Sequence, residues 1–252
     1  MFQRLMTGLV CLIVAAPLLH SQDDVADVKS QERKAGNDEK KKYVLIGPAA
    51  GSRQPANGYG LIVVMPGGGG DAAFVPFVKR IFKNSIPAGY VVAQPIAVKW
   101  TPNQNIVWPT TKSKVNGMKF TTEEFVEAVI SDVASSYKIN PDKVLTLSWS
   151  SSGPAAYAIS LTSKQVKGSF IAMSVFKPDQ LPDLKQAKNH RYFLYHSPDD
   201  RVCPFRMAEQ AVKDLEKNGA KISMITYQGG HGWKGNMYQS LREGFQWLEK
   251  KE

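Results

Sequence analysis

The sequence predicts an α/β protein: one domain, built on a mostly parallel, doubly wound sheet with helices on both faces. Two observations carry this. Short apolar runs rich in β-branched residues recur along the chain, several of them apolar nearly throughout, as strands buried on both faces require. Amphipathic helical patterns fall between them, so strand and helix alternate from end to end. The length of 252 residues and a 43% hydrophobic content provide for a sizeable core and exclude a disordered or collagen-like chain.

The N-terminus has a different character. Residues 1–22 carry one positive charge at Arg4, an apolar run from Leu5 to Leu19, and the small residue Ser21, the pattern of a secretory signal peptide. The run is shorter than the about 20 residues of a membrane span, so a secreted or periplasmic protein is expected, with no stable membrane insertion once the signal is removed, and an uncleaved membrane anchor is the alternative. Residues 23–42 are dense in charge and hold only Val25 and Val28 as sizeable apolar side chains. Such a composition reads as a flexible tether, leaving 43–252 as the folded domain.

Expected strands are Leu61–Met65, Tyr90–Gln94, Val144–Ser148, Ser169–Ser174, Tyr192–His196 and Ile222–Tyr227. Asp71 can cap a helix through Lys83 whose stripe is Phe74, Val75, Val78 and Ile81. Thr121 or Thr122 can cap the next, from Glu123 to Tyr137. Further helices fit Pro154–Gln165, Pro204–Asn218 and Asn236–Lys250. There is no internal repeat. Right-handed crossovers between such strands build an open sheet whose reactive groups gather at the strands' carboxyl ends.

Four of those ends are unusual. Leu61–Met65 runs into Pro66-Gly67-Gly68-Gly69-Gly70, whose exposed backbone N–H groups near a helix start suit an oxyanion. Val144–Ser148 runs into Trp149-Ser150-Ser151-Ser152-Gly153, a strand-to-helix turn with the small neighbours of a nucleophile elbow. Ser150 is the choice among four serines. It has small Ser148 and Ser152 two positions to either side, and it places Pro154 in the first helical turn, where no N–H is needed. Tyr192–His196 leads to Asp199-Asp200, and Ile222–Tyr227 to Gly229-Gly230-His231-Gly232, whose glycines let His231 reach a site. His20 lies in the signal and His190 at the wrong end of a strand, while His196 is expected to order its loop.

Ser150, Asp200 and His231 stand in the chain order of α/β-hydrolases. The sequence resembles the compact esterases of that superfamily, of the phospholipase/carboxylesterase, polyhydroxybutyrate-depolymerase and feruloyl-esterase types, over roughly Leu61 to Lys250. The elbow Gly-x-Ser-x-Gly-Gly is matched by Ser148-Trp149-Ser150-Ser151-Ser152-Gly153. The acid motif His-Gly-x-x-Asp-x-x-Val-Pro is matched by His196 through Pro204, which selects Asp200 over Asp199. Pro66 stands where the family has His, and serines stand for the elbow glycines. The resemblance implies a single-domain α/β-hydrolase without a large cap, acyl transfer through Ser150, and an oxyanion hole from the N–H groups of Ser151 and of Gly68 or Gly69. It implies no cofactor, and no His/Cys spacing suggests a metal.

The long stretch Pro95–Phe120 carries Trp100 and Trp108, which with Trp149 and Trp233 are expected to line an open acyl or aromatic pocket. The expected substrate is a small-molecule or polymer-linked carboxylic ester. A peptidase or amidase with the same triad, and a silent binding protein on the same scaffold, remain alternatives. The formal net charge of +10 is read as solvated lysines, and no motif indicates a specific nucleic-acid partner. Only two cysteines occur, Cys11 and Cys203, which excludes a disulfide framework.

Overall fold

The computed structural model describes residues 23–250, and the expected signal peptide lies outside them. One eight-stranded sheet runs through the domain: β1 Ser30–Lys34, β2 Lys42–Ile46, β3 Tyr59–Met65, β4 Tyr90–Pro95, β5 Ile139–Trp149, β6 Gly168–Ala172, β7 Arg191–His196 and β8 Lys221–Thr226. Their spatial order is β1-β2-β4-β3-β5-β6-β7-β8. β2 pairs antiparallel with both β1 and β4, and every other pairing is parallel. The helices are α1 Val75–Ser85, α2 Thr122–Ser136, α3 Gly153–Thr162, α4 Phe205–Lys217 and α5 Met237–Leu248.

The period-two alternation of the central strands divides the core into two layers. In β3, Leu61, Val63 and Met65 face the layer that holds Phe125 and Val129 of α2 and Ala155 and Ile159 of α3. Ile62 and Val64 face the opposite layer, with Val78 and Ile81 of α1 and Leu241 and Phe245 of α5. Both faces are thus covered, which is why these strands read as unbroken apolar runs. No cap domain interrupts the described residues, and none of their helices is long and apolar enough to cross a membrane.

Helix starts follow the local chemistry. Of the two threonines, Thr121 is the cap of α2: its hydroxyl accepts the Glu124 N–H, and the Glu124 carboxylate accepts the Thr121 N–H. Asp71 accepts the N–H of Ala73 at 2.9 Å, opening a short 3-10 turn, Ala72–Phe74, that leads into α1.

The tether reading of residues 23–42 is corrected. Ser30–Lys34 pairs along its whole length with β2 and forms the edge of the sheet. Val25, Val28 and Ala35 are buried. Arg33 bridges to Asp132 of α2, while Asp24 and Asp27 pair with Arg80 and Lys83 of α1. An edge strand needs a backbone partner and few apolar side chains, and charged residues there discourage pairing with other molecules. Composition taken by itself therefore resembles disorder.

Candidate active site

Ser150 directly follows β5, at the carboxyl end of the sheet's central strand. Its φ is +56°, a left-handed conformation that non-glycine residues rarely hold and that here turns the chain sharply into a 3-10 turn and α3. The turn lifts its hydroxyl to 3.0 Å from His231 Nε2. Across the ring, His231 Nδ1 lies 2.8 Å from Asp200 Oδ2. Three residues chosen from strand ends 50 and 31 positions apart thus form one continuous hydrogen-bonded chain.

The competing serines have other occupations. Ser152 is fully buried, accepts the Trp149 N–H at 3.0 Å and donates to the Met65 carbonyl at 2.6 Å, riveting the elbow to the end of β3. Ser151 donates to the Gly68 carbonyl at 2.9 Å. Ser148 is buried with no hydrogen-bond partner for its hydroxyl. Gly153 is required by close approach: a Cβ there would lie 1.9 Å from Ser174 Oγ, the hydroxyl that donates to the Ser150 carbonyl at 2.7 Å. The chain leaves β6 at Ala172 instead of continuing to Ser174, because Met173 turns with φ +39° and frees Ser174 for that contact.

Asp200 is a saturated acceptor. Its Oδ1 takes the backbone N–H groups of Val202 and Cys203, each at 2.8 Å. Its Oδ2 faces His231 and, at 3.3 Å, His196 Nε2. Burial alone would raise the carboxyl pKa. The Cys203 N–H, the His231 N–H and the Val202 N–H outweigh that effect and hold it below the usual carboxylate range. A carboxylate only accepts, so the proton of His231 resides on Nδ1, leaving Nε2 free to accept from Ser150.

His196 behaves as expected for a loop-ordering residue. It is buried, and its Nε2 donates to the Cys203 carbonyl at 2.8 Å. Burial, only partly opposed by that carbonyl and by Asp200, pulls its pKa down and favours the neutral ring. Ser197 escaped notice in the sequence. Its fully buried hydroxyl accepts the N–H of Asp199 at 3.2 Å and of Gly230 at 3.1 Å, joining the acid loop to the histidine loop. The one signal was its position, where the resembling family has glycine.

The N–H groups of Gly68, Gly69 and Ser151 make no hydrogen bond within the described residues. The bond from Ser151 to the Gly68 carbonyl brings the glycine loop beside the elbow. A trans peptide points its C=O and N–H in opposite directions, so that bond turns the Gly69 N–H away from Ser151. Gly67 permits the approach, since a Cβ on it would meet the Trp149 carbonyl at 2.7 Å.

The tryptophans do other work than expected. Trp108 and Trp149 retain only 3% and 5% of their exposure, which corrects the expectation that they wall an open pocket. Trp108 donates from Nε1 to the Pro66 carbonyl at 3.0 Å and so holds the glycine loop. Trp149 packs edge-on against Phe74, Phe77 and Trp233 beneath the elbow. Trp233 stacks on Tyr195 with its Nε1 buried and unpartnered, under the His231 loop. Trp100 packs against Phe120, with the Lys40 ammonium over its ring. Both are half-buried.

Asp200, Cys203 and His231 place potential ligand atoms within 4.8 Å of one another. Burial, with the Asp200 charge beside it, pushes the Cys203 thiol up to about 11, so it stays protonated. An ion seated there would compete with the hydrogen bonds that orient His231.

No known family model matches the chain, and no curated protein matches it in sequence. Its structure is similar to a fungal esterase from Rhizomucor miehei (TM-score 0.65, 11% identity, covering 88% of this chain and 83% of that one). It is similar also to Thermogutta terrifontis esterase 2 (TM-score 0.63, 15% identity, 89% and 94% covered). A third similar structure is MGS-M1, an α/β-hydrolase enzyme from a Medee basin deep-sea metagenome (TM-score 0.59, 14% identity, 88% and 97% covered). The chain has the α/β-hydrolase fold, as one domain on a mostly parallel eight-stranded sheet.

Proposed function

We propose that the protein is an exported serine hydrolase that cleaves carboxylic esters, small or polymer-linked, through an acyl-enzyme on Ser150. The observation that carries this is the unbroken chain Ser150 Oγ–His231–Asp200 on a residue held at φ +56°. His231 Nε2 takes the hydroxyl proton as Ser150 Oγ attacks the ester carbonyl, and Asp200 stabilises the imidazolium. The oxyanion is held by the N–H groups of Ser151 and Gly68, where losing one donor typically costs about 10²–10³ in rate. Collapse of the intermediate passes the proton to the leaving alcohol. Water, deprotonated by the same imidazole, then releases the carboxylic acid and restores the Ser150 hydroxyl. Esterases among the similar structures favour ester over amide as the substrate. Residues 1–22 support export through their charged start and apolar run.

The test is fluorophosphonate labelling of a chain that begins at residue 23, keeping β1, with the adduct mapped by mass spectrometry. Label on Ser150, abolished by His231→Ala, is the expected result. A folded sample that takes no label overturns the reading in favour of a silent scaffold. Turnover of amides in preference to matched esters would transfer it to the amidases.

A further inference from the structure

Between Asp71 and Glu123 the chain runs 51 residues without an acidic side chain. Past β4, its lysines Lys99, Lys112, Lys114 and Lys119 are exposed and form no ion pair among the described residues. The β1–β2 turn adds more positive charge to them. The Lys40 ammonium sits 5.1 Å over the Trp100 ring and the Lys41 ammonium 4.9 Å over Phe120, and these two rings touch edge-on at 4.9 Å. The carboxylates of that turn are engaged within it, Asp38 with the Lys40 backbone N–H and Glu39 with Lys34. Lys40 and Lys41 thus cover an aromatic pair on a loop that carries four further exposed lysines, while the neighbouring carboxylates Glu123 and Glu124 accept the backbone N–H groups of Thr111 and Thr121 and pair with none of these lysines, an arrangement that attracts anions.

This patch adjoins the candidate site. The loop that bears it is bonded to the glycine loop through its first half, Ala97 N–H to the Gly70 carbonyl at 2.9 Å and Trp108 Nε1 to the Pro66 carbonyl at 3.0 Å. Its charge comes from lysines, point charges without the forked geometry that selects phosphates, and the nearby Arg33 is committed to Asp132. Its rings lie under ammonium groups and offer little free face for nucleobases. Ile106 is the only large apolar side chain that this loop exposes, too little for a lipid surface. Asn103, Asn105, Thr111 and Asn116, all exposed, supply neutral hydrogen-bonding groups between the charges.

We propose that this lysine–aromatic patch docks an acidic polysaccharide, its carboxylates on the lysines and its hydroxyls on the amides. This deepens the esterase reading and rests on it for one point, that an ester borne by the same polymer is the bond presented to Ser150.

The test uses the chain from residue 23 carrying Ser150→Ala, so that binding is read without turnover, and polygalacturonate as the probe. Binding that weakens with salt is expected. The triple variant Lys40→Gln, Lys99→Gln, Lys119→Gln should weaken it at least about tenfold at low salt. Lys188→Gln, Lys213→Gln, Lys217→Gln removes equal charge at the far edge of the sheet and should change it by less than about twofold. No binding, equal losses in both triples, or equally tight binding of duplex DNA or phosphatidylserine vesicles at the same salt would each overturn the proposal. Failure of Ser150 to react with fluorophosphonate would sink the esterase reading and leave this binding result standing.

Discussion

The Ser197 hydroxyl accepts the backbone N–H of Gly230 at 3.1 Å, and so links the loop of Asp200 to the loop of His231 without touching either side chain. The same oxygen accepts the Asp199 N–H, one residue before the acid. Ser197 therefore positions two members of the triad relative to each other. Ser197→Ala leaves two N–H groups unpaired and is expected to cost about 1–3 kcal/mol of stability. By loosening the His231 geometry it should lower kcat by up to about 10²-fold with KM little changed. Steady-state kinetics beside a thermal melt check this. An unchanged kcat would show that the loops hold their relation without Ser197.

The two serines that replace elbow glycines should respond in opposite ways. Ser148 buries an unpartnered hydroxyl, so Ser148→Ala is expected to be neutral or stabilising by up to about 2 kcal/mol. Ser152 bonds both the Trp149 N–H and the Met65 carbonyl, and Ser152→Ala should destabilise by about 1–3 kcal/mol. Denaturant unfolding of the two variants decides the matter, and equal shifts would refute the distinction.

His190 governs acid sensitivity. Burial, aided by the charge of Lys167, pulls its pKa from the ordinary 6.5 down to about 3. In the unfolded chain it takes up a proton below about pH 6.5, while in the fold it stays neutral to about pH 3. The unfolded state binds more protons across that window, so stability falls as pH is lowered through it, by up to about 1.4 kcal/mol per unit, and is unaffected above it. His190→Gln, which can keep a hydrogen bond to Ser169, should flatten the slope of stability between pH 6.5 and 4. Parallel slopes for the two proteins would contradict this assignment.

A chain that begins at Tyr43 is expected to fail where one beginning at residue 23 succeeds. It loses β1, the buried Val25, Val28 and Ala35, and the Arg33–Asp132 pair. It also exposes the unpaired edge of β2, a template for self-association. Size-exclusion chromatography and melting of the two chains provide the check. Identical behaviour would mean that the N-terminal segment contributes nothing to the fold.

The alternation of buried strands and amphipathic helices was legible residue by residue, because β3 to β7 are covered on both faces and so write their burial into composition. Ser150, Asp200 and His231 were legible for a related reason. In such a sheet function sits at strand ends, and each of these residues follows a strand that the sequence displays. The choice of Ser150 over Ser151 followed from the steric need for small neighbours, and the structure puts Ser150 beside His231.

Other features depended on contacts between distant segments, which leave no local pattern. The β1 edge strand exists because β2 offers it a backbone partner, and a strand of polar and charged residues on both faces carries no apolar signature. Trp108 and Trp149 suggested a pocket by residue type, yet Pro66 and the aromatic layer under the elbow enclose them. The partners of Ser197 lie 2 and 33 residues away along the chain, and only the folded loops place them on one oxygen. Sequence by itself determined strands β3 to β8, the helices between them and the residue types at their ends, since burial and turn chemistry act locally. Tertiary structure alone decided which side chains meet across loops, because hydrogen bonds of about 3 Å depend on positions that no local pattern encodes.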